Sequence, residues 1–168
     1  MLSRETGLNI LFVCSGNTCR SPMAEVLGDR VTAELGLPGV EIRSAGTHAV
    51  SGAPASDGAR RMAYRHRQSL EEHRSTRLSP DLLAWADLVL AMGPGHLIQV
   101  RKLGAGEKAA LLVAFAHGHD PGQDVDGSQD FAVPDPFGGD DEVYEATYRN
   151  LEEYVLAALR RVAEEMGG

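Results

Sequence analysis

Residues 8–13 (LNILFV) constrain the fold more than any other stretch: an apolar run, rich in β-branched and aromatic residues, breaks at once into Cys14-Ser15-Gly16-Asn17. Such a pattern reads as a buried strand entering a tight loop. The loop gives way to a helix start. Ser21 is a good N-cap and Pro22 suits the first helical position, after which Leu27, Val31 and Leu35 recur until Gly36 stops the helix. Residues 40–44 form a second strand, and residues 54–64 have a helical pattern with a weak apolar stripe. Ser79-Pro80 opens a short helix carrying Leu82, Leu83 and Trp85, which leads into a strand over residues 87–91 that Met92-Gly93-Pro94 breaks. Residues 109–115 are a further apolar segment of strand type, and residues 117–131 form a polar, Gly- and Asp-rich loop. Residues 140–165 close as a helix whose Tyr144, Tyr148, Leu151, Val155, Leu159 and Val162 share one face.

Strands alternating with helices imply an α/β fold with a parallel sheet covered by helices on both faces and joined by right-handed crossovers. Ligands of such sheets bind beyond the carboxyl ends of the strands, where the loop after Val13 must lie. A chain of 168 residues, 43% of them hydrophobic, is the right size for one core, and no linker divides it. The expectation is therefore a single domain over residues 1–168, with residues 1–7 a flexible N-terminus.

A formal net charge of −8 argues against general electrostatic binding of nucleic acid, although an isolated cationic pocket remains compatible with it. No stretch approaches the roughly 20 apolar residues of a membrane span, and the first residues run straight into a core strand instead of a cleavable leader. The cytoplasm is the expected compartment, with no membrane partner. The two cysteines, Cys14 and Cys19, lie in one short loop. They make neither a disulfide scaffold nor a closed four-ligand zinc site, so a chemical role is expected.

Between Cys14 and Arg20 stand five residues, Ser15, Gly16, Asn17, Thr18 and Cys19, and Ser21-Pro22 follows. A loop between a strand end and a helix N-terminus turns several backbone N–H groups toward one centre, and the helix dipole adds positive potential there. Gly16 permits close approach, and Asn17 tolerates the left-handed region. Arg20 supplies a planar fork for two phosphoryl oxygens. The same electropositive surroundings favour the thiolate of Cys14 at neutral pH. Ser21 is placed to donate a hydrogen bond to the sulfur. A nucleotide-binding P-loop is excluded, because no Gly-Lys-Ser/Thr ending exists to hold Mg²⁺; no metal or other cofactor is implied. A bare Cys-x5-Arg pair is a weak signal, and Cys14 alone could be a small buried hydrophobe. Its setting between a buried strand and a helix start favours chemistry.

With these motifs the sequence resembles the low-molecular-weight protein tyrosine phosphatase family, which carries a Cys-x5-Arg-Ser loop near the N-terminus and an Asp-Pro motif near the C-terminus. The resemblance covers residues 10–25, Arg43-Ser44-Ala45-Gly46-Thr47, residues 86–92 and residues 133–139. It implies a four-stranded parallel sheet flanked by helices, and a protein phosphatase working through a phosphocysteine intermediate on phosphorylated protein substrates. Carried over to this chain, it makes Cys14 the nucleophile, Arg20 the phosphate ligand, Ser21 the group assisting the thiolate, and Asp135 in Pro134-Asp135-Pro136 the general acid. It gives Asn17, Ser44 and His73 the support of the loop, and residues Ser15 to Cys19 with Phe137 the binding of phosphate and substrate. It also implies that Cys19 pairs reversibly with Cys14 on oxidation, the alternative for Cys19 being packing.

Family members acting on phosphotyrosine commonly carry a bulky aliphatic residue after the nucleophile and a tyrosine after Asp-Pro; here these positions are Ser15 and Phe137. A bacterial protein-arginine phosphatase branch has threonine at the first position and runs Asp-Pro-Phe-Gly-Gly, as residues 135–139 do. The expectation is phosphoarginine, with some phosphotyrosine activity. Arsenate reduction on the same fold needs further cysteines downstream of Cys19, and there are none. A non-catalytic phosphate-binding module would lack the acid or the nucleophile. The acidic run from Asp124 to Asp130 and the pair His117 and His119 lack the ligand spacing of a calcium or zinc site and read as solvated loop.

Overall fold

A computed structural model describes residues 7–123 and 131–167. Four strands, β1 (Leu8–Cys14), β2 (Val40–Gly46), β3 (Leu88–Ala91) and β4 (Ala109–Leu111), form one sheet in the order β2-β1-β3-β4. Every pairing is parallel. Among the described residues six α-helices follow the strands: α1 (Arg20–Glu34), α2 (Asp57–Arg65), α3 (Pro80–Trp85), α4 (Pro94–Lys102), α5 (Leu112–Ala116) and α6 (Asp141–Gly167). The architecture is the single-domain, doubly covered α/β sheet that the alternation of elements predicts.

The period of two in β1 divides its side chains between two cores. Leu8, Ile10, Phe12 and Cys14 point into the larger cluster, with Met23, Leu27 and Val31 of α1 and Tyr148, Leu151, Val155, Leu159 and Val162 of α6. Leu11 and Val13 point the other way, onto Leu83 of α3 and Leu97 and Val100 of α4. The polar interruption, Asn9, is accounted for by its bonds. Its backbone N–H donates to Asp87 Oδ2 at 2.8 Å and its side-chain amide to the Trp85 carbonyl at 3.0 Å, clipping β1 to the turn before β3.

Several boundaries differ from the sequence expectation. α1 starts at Arg20 with Cys19 in the N-cap position, and Ser21 faces inward instead of capping. α2 starts at Asp57, inside the expected segment 54–64, and is capped by Ser56, whose hydroxyl accepts from Ala59 N–H at 3.3 Å. Gly93-Pro94 does end the β3 run, but Pro94 also occupies the first turn of α4, a helix with no strong apolar stripe to announce it. The apolar run 109–115 splits into β4 and α5: the edge strand finds only three paired residues on β3, and the remainder turns in to bury Leu112, Val113 and Phe115. Residues 1–6 of the expected flexible N-terminus, and the acidic run from Asp124 to Asp130, lie outside the described residues. Among the described residues no helix is long and apolar enough to cross a membrane, and no three His, Cys, Asp or Glu side chains converge as a metal site.

Candidate active site

Because β1 ends at Cys14 and α1 begins at Arg20, residues 15–19 wrap around the carboxyl end of the sheet. The first turn of α1 has no side-chain cap, so its backbone N–H groups are open to an anion held in that loop. Asn17 takes the left-handed conformation, φ 56°, and is wholly buried. Both of its amide hydrogens and its oxygen are engaged in the frame: Nδ2 donates to Ser21 Oγ at 2.8 Å and Ser44 Oγ at 2.9 Å, and Oδ1 accepts from Thr76 N–H at 2.8 Å. An amide NH₂ only donates, so the Ser21 hydroxyl keeps its own hydrogen for another acceptor. That acceptor is Cys14 Sγ, 2.8 Å away.

A second tier holds the loop from behind. His73 Nε2 donates to the Asn17 carbonyl at 2.7 Å, which places the ring proton on that nitrogen. Burial lowers the His73 pKa, against the pull of the Asn17 carbonyl, and Arg74 adds to the drop. Gly46 closes the outside of the loop. A Cβ there would fall 2.8 Å from the Asn17 backbone nitrogen and closer still to the Ser15 carbonyl oxygen. Thr47 and His48 then donate backbone bonds of 2.9 Å to the carbonyls of Cys14 and Ser15.

The opposite wall is the segment 131–139, tied to the sheet by Val133 N–H donating to the Met92 carbonyl at 2.7 Å. Arg20, only 8% exposed, reaches across the gap. It donates to the Val133 carbonyl at 3.0 Å and stands 3.7 Å from Asp135 Oδ2. Asp135 Oδ1 accepts from Phe137 N–H at 3.0 Å, which orients the carboxylate toward the mouth. The cavity between the walls measures about 170 Å³ and is lined by Cys14, Ser15, Gly16, Thr18, Cys19, Arg20, Asp135 and Phe137. Every one of these was marked in the sequence, and Ser21, Asn17, Ser44 and His73 stand directly behind them. A larger cavity of about 510 Å³ beside α2 carries no nucleophile, and its Arg60, Arg61 and Arg65 are already paired with Asp57, Glu71 and Asp141.

The family model for low molecular weight phosphotyrosine protein phosphatases matches residues 9–167. The chain belongs to that family. It is 40% identical over 159 residues to a protein-arginine-phosphatase of Geobacillus stearothermophilus, covering 94% of this chain and 95% of that one. It is 35% identical over 144 residues to the low molecular weight protein-tyrosine-phosphatase Etp of Escherichia coli (strain K12), covering 86% and 87% of the two chains. A solved arginine phosphatase YwlE variant with a phosphorylated active site serine superposes with a TM-score of 0.81 at 33% identity, over 93% of this chain and 96% of that one.

The phosphatase also engages residues that the sequence did not mark. His96, on the first turn of α4, meets Ser15, its Nε2 lying 2.8 Å from Ser15 Oγ. Tyr144, read only as part of an apolar face, sets its hydroxyl 3.3 Å from Cys19 Sγ and 3.1 Å from Ser56 Oγ. Burial pushes the Tyr144 pKa up to about 12, so the phenol stays protonated. Both cysteines are free thiols, and the Cys19 sulfur is occupied by Tyr144 and Ser56, at 3.3 Å each. No local pattern signals these pairings, because each joins residues far apart in the chain.

Proposed function

We propose that the phosphatase removes phosphoryl groups from arginine side chains of proteins, with Cys14 as nucleophile, Arg20 as phosphate clamp, Ser21 as the donor that steadies the sulfur, and Asp135 as general acid and then base. The observation that carries these roles is the Cys14 sulfur, hydrogen-bonded by Ser21 at 2.8 Å in a pocket whose rim brings Arg20 within 3.7 Å of Asp135. Cys14 attacks phosphorus in line, forming the S–P bond as the P–N bond to the guanidino group breaks. Asp135 gives its proton to the departing nitrogen. The loop amides and Arg20 hold the charge on the equatorial oxygens, so positioning and electrostatics supply most of the rate. Asp135, now ionised, takes a proton from the water that cleaves the S–P bond, and phosphate leaves with the thiolate restored. Asn17, Ser44 and His73 keep the loop in shape, and Cys19 is the reserve thiol that pairs with Cys14 after oxidation by a peroxide.

Support for phosphoarginine comes from the rim. Ser15 and Thr18 bring hydroxyls and Asp135 a carboxyl carbonyl oxygen to the pocket, acceptors that guanidinium N–H groups need and a phenyl ring does not. A second reading, phosphotyrosine, is favoured by Phe137, 73% exposed at the mouth and free to stack on a ring. Hydrolysis of one peptide carrying either phosphoarginine or phosphotyrosine decides between them: a higher kcat/KM for phosphoarginine is expected, and the reverse order removes the assignment. A reducing cytoplasm suits a protein whose two cysteines are free thiols. Arsenate reduction is disfavoured, because the sequence has no cysteine after Cys19 to relay a disulfide.

A further inference from the structure

His96 is a buried titratable side chain at the pocket that the reaction above does not use. It is 9% exposed, its Nε2 lies 2.8 Å from Ser15 Oγ, and its Nδ1 is sealed from solvent without a hydrogen-bond partner among the described residues. Burial lowers its pKa to about 4, the charge of Arg20 adds to the drop and His48 adds less, while Asp135 opposes them. The ring is therefore neutral at physiological pH and carries one proton. A buried N–H without an acceptor is the rarer kind of unsatisfied group, and the positive end of α4 favours a bare lone pair at Nδ1. The proton accordingly sits on Nε2 and is donated to Ser15. Ser15 then keeps its own hydrogen and a second lone pair for whatever enters the pocket, and its hydroxyl is held in one rotamer instead of sampling three.

We propose that His96 is a positioning residue that sets the choice of phosphorylated side chain through Ser15, by fixing the Ser15 hydroxyl as a polar contact for the group that bears the phosphoryl. The direction of its effect, toward phosphoarginine, rests on the substrate reading given above. A pinned hydroxyl offers directional hydrogen bonding to a guanidinium, and it offers nothing of the kind to a phenyl ring.

The experiment measures kcat and KM on phosphoarginine and phosphotyrosine forms of one peptide for wild type, His96→Leu, His96→Gln, Ser15→Ala and the double variant Ser15→Ala/His96→Leu. His96→Leu is expected to lower the phosphoarginine-to-phosphotyrosine ratio of kcat/KM by about three- to tenfold, the scale of one neutral hydrogen bond, mainly through KM. His96→Gln, whose amide also donates, recovers part of that loss. In the Ser15→Ala background the leucine substitution leaves the ratio where Ser15→Ala alone put it. A ratio that His96→Leu does not move, or a shift that persists at full size without the Ser15 hydroxyl, overturns the proposal. Should His96→Leu fail to fold, Ser15→Ala by itself must shift the ratio by the same factor, and an unchanged ratio there is equally fatal. A wild type that prefers phosphotyrosine removes the phosphoarginine reading, whereas the coupling of Ser15 and His96 is read from the same cycle whichever substrate is preferred.

Discussion

The loop that runs from Cys14 to Arg20 and the segment 133–139 face each other across one small pocket, but they are built to different standards. Asn17 and Ser21 are wholly buried, and Asn17 is held by Ser21, Ser44, His73 and Thr76. Across the gap, the Asp135 side chain is 52% exposed, Phe137 is 73% exposed, and the carboxylate itself has one backbone donor and the distant Arg20. The difference follows from what each wall must do. An anion cradle works only if its dipoles are aimed before the substrate arrives, which demands a rigid frame. A proton donor has to reach the departing atom and then exchange protons with water, and exposure serves both needs.

Substitutions on the two walls should therefore fail in different ways. The largest effect is expected at the nucleophile: Cys14→Ser lowers turnover of an aryl phosphate by on the order of 10⁴ or more while an oxyanion such as vanadate still binds, and retained turnover ends its assignment. Next, Asp135→Asn should reduce kcat on a phosphopeptide by about 10²- to 10³-fold, yet much less on an aryl phosphate whose leaving group needs no proton. Equal losses on both substrates would mean that Asp135 only shapes the pocket. On the buried wall, Asn17→Ala takes the side-chain acceptor from the Thr76 N–H and the amide donor from the Ser21 and Ser44 hydroxyls, and puts a less tolerant residue at positive φ. A loss of about 2–4 kcal/mol in denaturant unfolding is expected, with lower kcat among the molecules still folded.

A pH series sharpens the comparison further. His73 and His96 both have folded pKa values below the ordinary 6.5, that of His96 at about 4, so the fold prefers their neutral forms. Their contribution to stability is complete above pH 6.5 and is lost as the pH falls below it, for His96 as it passes about 4, because the unfolded chain takes up protons first. Denaturation midpoints at pH 7.5, 5.5 and 4.5 should fall more for wild type than for His96→Gln; parallel curves would contradict the neutral ring. The smallest effect belongs to the exposed wall. Phe137→Ala should raise KM a few-fold with little change in melting temperature, since its ring is bound to nothing in the frame, and a large loss of stability would show the segment to be less independent than its exposure implies.

Much of the buried wall was legible in the sequence. A strand pattern, five loop residues, an arginine and a helix start identify an anion site from residue types alone, since backbone geometry and charge act locally there. The exposed wall was not legible in that way: Asp135 is one acid in an acidic region, and only the family resemblance singled it out. α4 was missed because its start, Gly93-Pro94, doubles as a strand terminator and its apolar pattern is weak. Of the two roles read for Ser21, capping and a hydrogen bond to the sulfur, the structure has only the second, because N-cap preferences describe an isolated helix whereas here the hydroxyl is claimed by Asn17 and Cys14.

The sequence alone determined the alternation of strands and helices, the doubly covered sheet and the chemistry of the loop after β1, because these depend on periodicity and on neighbours a few residues apart. Tertiary structure decided how distant side chains complete the site, and it alone brought in His96 and Tyr144, since His73 had been named only through the family resemblance. His73 reaches Asn17 across 56 positions, His96 reaches Ser15 across 81 and Tyr144 reaches Cys19 across 125. Contacts at such separations are set by how helices cross the ends of a twisted sheet, and no local preference of the chain records them.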